Sequence, residues 1–381
     1  MTRSQLFSIW IGFVVLEIFA FVNAYFANLK GGTIDAVRFQ TAATDWAKTG
    51  TWEFAINSEF FIQYLGSIYR LFGASEFVAT QFGIFFMIAA VFVLVKMARH
   101  LGFMFPALAV LLFLLWPSML LRVTTTLREP YIIFFVILAF YASLRFAQTQ
   151  RFGFAFLCFA SLLAGALFHK ALAVLVPILG LFIIWKIITG RSARNKLFSI
   201  PFCIVSLAFG VVILGNLANQ ELSIMGLKPL QSLILWDTEH ISRVLEYKTG
   251  RNFRTTYDAA IDFSNLFQFV ASLIKSFVYY MFMPFPWLVR THLDVLALFE
   301  SLFRFGGLAL MIRFIFFGSN VAIGFRQICF LALGLCLIWA AGTANYGTAS
   351  RHHMTTNWVF LLIYIACLTP RRSVRAAAVP A

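Results

Sequence analysis

Apolar runs of about 17 to 25 residues recur along the chain, and this repeat constrains the fold more than any single residue does. Each run is long enough to cross ~30 Å of hydrocarbon as a helix. Of the 381 residues, 61% are hydrophobic and only 12% are charged, against about 25% charged in soluble domains. Phe is unusually abundant, at 47 residues, and is compatible with lipid. The expected fold is all-α: a polytopic transmembrane helical bundle of about ten spans, within a range of about eight to twelve. A single membrane domain is expected over 1–381, with no separate soluble domain.

The net charge of +15 would suggest nucleic acid in a soluble protein. In this chain lysines and arginines read as anchors on the cytoplasmic side of the spans, and no nucleic-acid partner is expected. The five cysteines (Cys158, Cys203, Cys329, Cys336 and Cys367) lie in apolar stretches without CxxC spacing. That pattern suggests neither a disulfide framework nor a zinc site. The N-terminal run, about 6–22, is longer than a usual signal core and reads as an uncleaved first span.

Positive-inside bookkeeping gives one path. Spans are expected at about 6–27, 76–97, 102–121, 130–146, 153–168, 171–187 and 197–216, then at about 293–313, 326–342 and 355–369. The stretch 265–290 reads as a helix that enters partway or lies at the interface, broken at Pro284 and Pro286. Two long external loops follow from this path, at about 28–75 and 217–264. Within the first, Ala43–Lys48 reads as a short helix. Phe60, Phe61, Tyr64, Leu65, Ile68 and Tyr69 read as an amphipathic helix on the membrane surface.

This path leaves the cytoplasmic segments with basic residues only. Of the 15 acids, only Glu17 and Glu300 fall inside spans, and the rest face the other side. Glu300 and Arg304 are placed to pair across one helix turn. Several cations share the acidic face and run against the positive-inside bias, so they need another reason.

Four constellations on that face can carry chemistry. Asp35 with Arg38 pairs a possible general base or metal ligand with a phosphate-binding cation; the plain alternative is a solvated loop acid. Arg122 and Arg128-Glu129 sit at span ends, where an anionic lipid phosphate would explain them, as would interfacial snorkelling. His169-Lys170 occupies a tight external hairpin, where His169 can also serve as a helix cap. Arg351-His352-His353 lies before the last span, where Arg351 and one histidine can flank a phosphate or simply belong to a polar loop. The second long loop, with Trp236, Asp237, His240, Arg243, Arg251 and Arg254, can bind an acceptor, although no spacing in it is diagnostic.

The segment Asp35-Ala36-Val37-Arg38-Phe39, with Ala42, Ala43 and Gly50 following, resembles the first-loop signature of GT-C-type membrane glycosyltransferases. It is most similar to the family 39-like enzymes of bacterial surface-polysaccharide pathways. Tyr69-Arg70-Leu71-Phe72-Gly73, Trp116-Pro117-Ser118, Leu127-Arg128-Glu129-Pro130 and Pro284-Phe285-Pro286-Trp287 follow in a similar order. The resemblance covers about 1–190 well and the remainder loosely.

It implies a polyprenyl-phosphate-linked sugar donor, a glycan or lipid acceptor, a multi-pass location in the bacterial inner membrane and a site facing the periplasm or exterior. It implies Asp35 as catalytic acid position, with Glu129 as the second acid. Arg38, Arg122, Arg128, His169, Lys170, Arg351 and His352 are then the substrate- or phosphate-binding candidates. The resemblance does not fix the cofactor, and a divalent cation is the candidate. Many relatives carry a large soluble C-terminal domain, and no stretch of this sequence reads as one. Two alternatives stand beside the transferase: a polysaccharide repeat-unit polymerase or ligase that handles lipid pyrophosphate, and a transporter of lipid-linked sugar.

Overall fold

The computed structural model describes residues 1–26, 33–189, 255–257, 261–262, 265–317 and 323–368. Among these residues all regular structure is helical, apart from an isolated bridge between Thr256 and Asn345. The expected span at 197–216, most of the second long loop, Cys203 and the C-terminal arginines lie outside the described residues.

The helices in chain order are α1 (Arg3–Tyr25), α2 (Thr33–Thr49), α3 (Ser58–Phe72), α4 (Glu76–His100), α5 (Ala107–Leu114), α6 (Pro117–Val123) and α7 (Glu129–Thr149). After them come α8 (Phe152–Phe168), a short 3-10 segment (Lys170–Val174), α9 (Leu175–Thr189), α10 (Leu266–Phe282), α11 (His292–Phe316), α12 (Ile323–Ala341) and α13 (Tyr346–Leu368). Five are long and apolar enough to cross a membrane: α1, α4, α7, α11 and Gly324–Ala341 of α12. Phe152–Phe168 and Leu266–Phe282 are apolar but shorter. In lipid a helix satisfies its own backbone hydrogen bonds, so apolar runs of this kind fold this way.

Local signals set several ends. Thr2 caps α1 reciprocally with Gln5: the Thr2 hydroxyl accepts from Gln5 N at 3.2 Å, and Thr2 N donates to the Gln5 side chain at 2.8 Å. Thr291 and Asp294 form the same device at α11. Asn265 caps α10 by accepting from Gln268 N at 2.9 Å. α10 stops at Phe282, just before the expected break at Pro284.

α7 is central. In its apolar window 67% of residues are buried, against 33% for α1 and α11, which therefore lie at the rim with large side chains turned outward. Phe7, Trp10, Phe299 and Phe305 are exposed in this way, as side chains facing hydrocarbon would be.

Three expectations need correction. The stretch 102–121 is not one span. It divides into α5 and α6 at Trp116-Pro117, because Pro117 has no backbone donor and begins a new helix at its first position.

α2 is longer than Ala43–Lys48 and begins at Thr33, so Asp35 lies in a helix. Ala36, Phe39 and Ala43 are buried at helical spacing under α3. Gly66 permits that close approach. A Cβ at Gly66 would stand 2.5 Å from Trp46 Cε3 and 3.1 Å from the Ala43 carbonyl oxygen.

α3 does not present its apolar face to a membrane surface. Phe61, Leu65, Ile68 and Tyr69 are buried in the protein, and the Phe61 ring meets Phe39 edge-on at 5.1 Å.

Candidate functional site

Asp35, Glu129 and Arg351 meet where the first turns of α2 and α7 approach the second turn of α13. Arg351 Nε donates to Glu129 Oε1 at 2.6 Å, and Nη2 stands 2.5 Å from the same oxygen. Arg351 Nη1 pairs with Asp35 Oδ2. One guanidinium thus bridges two carboxylates from distant parts of the chain. Both acids also sit in the first turn of a helix, where the unpaired backbone N–H groups favour negative charge.

Exposure separates the two acids. The Glu129 side chain is 8% exposed and Arg351 16%, whereas Asp35 is 44% exposed. Glu129 is a buried anchor. Asp35 has one oxygen held by Arg351 and a face open to an incoming group. Arg351 lies in α13, which starts at Tyr346, well before the expected start at about 355. The expected polar loop around Arg351-His352 is therefore a helix.

Two further arginines flank this bridge. Arg122 Nη2 donates to Ser350 Oγ at 2.5 Å and weakly to the Gly347 carbonyl at 3.4 Å. Its Nη1 is buried with no hydrogen-bond partner. Burial, and then the charge of Arg351, lower the Arg122 pKa to about 10, so the group stays cationic at neutral pH. Arg128 Nη1 reaches Asn57 Oδ1, Ser58 Oγ at 3.3 Å and the Phe168 carbonyl at 3.2 Å. It clamps the start of α3 to the end of α8, and burial lowers its pKa to about 10 as well.

The remaining candidates divide. His169 approaches the site: its ring lies 4.8 Å from Trp339 and 5.7 Å from His352. His352 stacks on Trp339 at 4.0 Å, and its Nδ1 shares a 2.9 Å hydrogen bond with Thr343. Burial, then the charge of Arg128, hold His169 well below the usual imidazole range, so it is neutral and no phosphate-binding cation at neutral pH. Its Nδ1 accepts from Ala171 N at 3.3 Å and caps the 3-10 segment, which Lys170 begins. Arg38 is exposed on α2 and makes no ion pair with the described residues, so it stands apart from the network. Among the described residues, no three His, Cys, Asp or Glu side chains are grouped closely enough to hold a metal ion.

Compared with known protein families, curated proteins and solved structures, the chain matches none.

Two adjoining cavities were not foreseen from sequence. One, of about 190 Å³, is lined by Ser118, Arg122, Asp294, Glu300, Tyr346 and Ser350, among others. The other, of about 390 Å³, is apolar and lined by Leu111, Leu112, Leu115, Trp116, Pro117 and Phe299. Leu296 and Glu300 line both. Asp35 and Arg351 line neither, whereas Arg122 and its hydrogen-bond partner Ser350, the chain neighbour of Arg351, line the polar cavity. The expected Glu300–Arg304 pair forms at 3.8 Å inside the bundle. Glu300 Oε1 also accepts from Ser118 N at 2.9 Å, fixing the first turn of α6, which carries Arg122.

This arrangement combines an accessible carboxylate, paired with one guanidinium, with a second cation a short way off. Such a pair can take a proton from a hydroxyl and offset negative charge on a departing group.

Proposed function

We propose that the protein is a GT-C-like membrane glycosyltransferase. It moves a sugar from a polyprenyl-phosphate donor to a glycan or lipid acceptor at the non-cytoplasmic face of a bacterial inner membrane. The reading rests chiefly on the Arg351 bridge between Asp35 and Glu129. Three helices converge there, and Asp35 alone of the two acids is open to a substrate.

In the proposed reaction the acceptor hydroxyl oxygen attacks the anomeric carbon. Asp35 receives the hydroxyl proton, and the bond between that carbon and the phosphate oxygen breaks. The electron pair leaves on the phosphate, whose charge Arg122 and Arg351 offset. A well-placed donor at developing charge contributes about 3 kcal/mol. Glu129 keeps Arg351 aimed at Asp35.

The test is transfer in proteoliposomes from a panel of polyprenyl-phosphate hexoses and pentoses, with the native chain and Asp35→Asn. A positioned base contributes roughly 10²–10⁴ in rate, and Asp35→Asn is expected to lose activity on that scale. Undiminished transfer in Asp35→Asn would remove Asp35 from the mechanism. If chain lengthening on lipid pyrophosphate needs Arg128 and Arg351 but not Asp35, the protein is a polymerase or ligase instead. Net flux of lipid-linked sugar with no bond formed would make it a transporter.

A further inference from the structure

The cavity between α6, α11 and α13 has a composition that the Arg351 bridge does not explain. Two buried carboxylates, Asp294 and Glu300, line it together with Arg122. Within it, Ser118 is 8% exposed and its Oγ has no hydrogen-bond partner, while Arg122 Nη1 is likewise buried and unpartnered. Buried polar atoms without partners are costly, so side chains arranged this way point to a bound polar group. Glu300 accepts a single hydrogen bond from the described residues, from Ser118 N, and faces Arg304 at 3.8 Å. Two carboxyl oxygens offer more acceptor sites than this one bond uses, so Glu300 has capacity left.

We infer that this cavity binds one sugar ring of a lipid-linked saccharide. The inference rests on the proposed glycosyltransferase reading and gives that site its sugar-recognition pocket. Glu300 is a strong acceptor for a hydroxyl group, and Arg122 Nη1 and Ser118 Oγ supply donors to ring substituents, while Asp294, engaged by Tyr346 Oη at 2.8 Å and by the Arg290 and Thr291 backbone N–H groups, forms a fixed polar wall. A phosphate would meet one arginine and two like-charged carboxylates, which makes it the poorer occupant. Leu121, Leu293 and Leu296 supply apolar contact for the C–H face of the ring. The volume of about 190 Å³ is below the roughly 300–1,000 Å³ of pockets that enclose larger ligands, and so suits a single ring. The adjoining apolar cavity shares Leu296 and Glu300 with the first as lining residues and is bordered by the exposed Leu112 and Phe299.

The experiment uses the full chain in nanodiscs. Dodecyl glucoside, galactoside, mannoside and N-acetylglucosaminide are compared with dodecyl phosphate by saturation-transfer NMR. At least one glycoside is expected to bind more tightly than dodecyl phosphate. Ser118→Ala, which removes no existing side-chain hydrogen bond, is expected to weaken that glycoside about threefold to tenfold. Ala297 also lines the cavity, and Ala297→Leu, which fills it, is expected to weaken that glycoside by about tenfold or more. Asp35→Asn lies outside the cavity and is expected to leave glycoside binding in place. A loss of transfer chemistry is thereby told apart from a failure of the pocket. Dodecyl phosphate binding as tightly as every glycoside, no glycoside binding, or binding unchanged in both cavity variants would each overturn the inference.

Discussion

At the residue scale, Arg351 is the group on which the site depends. Its partner Glu129 is buried, so removing the guanidinium would leave a carboxylate without its hydrogen-bonded cation, with only the more distant charges of Arg128 and Arg122 and with Oε2 already lacking a partner. Breaking a buried pair from one side costs about 3–5 kcal/mol, chiefly through the stranded charge. The Asp35 half is far more open, and its contribution to stability is at most about 1 kcal/mol. Arg351→Gln is therefore expected to lower stability by about 3 kcal/mol or more. Glu129→Gln combined with Arg351→Gln should cost less than the sum of the two single changes, with a coupling of roughly 1–3 kcal/mol. Chemical unfolding in detergent, followed by tryptophan fluorescence, measures the cycle. Additive costs would show that the two groups do not act as a pair. Lysine cannot replace Arg351, because a single ammonium does not reproduce the fork that reaches both acids.

At the element scale, α2 carries Asp35, and its far end is held by a side chain from α3. Arg70 donates to the carbonyls of Ala47 at 3.0 Å, Trp46 at 3.2 Å and Gly50 at 2.7 Å, with its guanidinium 4.7 Å from the Trp46 ring. A cation on the last carbonyls of a helix satisfies acceptors that have no partner within it, and opposes the dipole. These contacts are exposed, so Arg70→Met is expected to cost about 1 kcal/mol. The loss should concentrate at the end of α2: hydrogen exchange at Lys48–Gly50 should speed up while amides in the middle of α3 keep their protection. Uniform loss across both helices would mean that Arg70 acts on overall packing instead. The boundaries of α2 show what was hidden in the sequence. The Gly-Gly before Thr33 and the β-branched Thr33, Ile34 and Val37 give weak helix signals, so only Ala43–Lys48 was legible. Burial of Ala36 and Phe39 under α3 overrides them. α13 behaves alike: Thr348, Ser350, Thr355 and Thr356 disfavour a helix locally, and packing in the bundle supplies one. By contrast α1, α4 and α7 were legible because apolar length alone specifies them.

At the scale of the whole molecule, acids in the first turns of helices gather at one end of the bundle among the described residues, together with Arg122, Arg128 and Arg351. Asp35, Glu76, Glu129 and Asp294 all lie in first turns of helices at the end that carries the site. Lys96, Arg99, His100 and Arg145 lie at the other end, where Arg145 and His100 meet at 3.0 Å. Counting charges along the chain could place Asp35, Glu129 and Arg351 on one face. It could not bring them into contact, because that depends on how α2, α7 and α13 pack across the chain. The two cavities were hidden for the same reason: Ser118, Arg122 and Glu300 become neighbours only through helix packing. The proposed orientation, which rests on the positive-inside bias, puts the Arg99 end in the cytoplasm and the site on the opposite face. Single cysteines at Arg38 and Arg99, both exposed, test that orientation in intact bacterial cells. The background carries Cys367→Ser, which removes the exposed cysteine among the described residues. With the outer membrane permeabilised, a membrane-impermeant maleimide is expected to label Arg38→Cys strongly and Arg99→Cys only after lysis. The reverse pattern would place Asp35 in the cytoplasm, where its acceptor would have to be a cytoplasmic molecule, and the proposed surface-glycan role would fall.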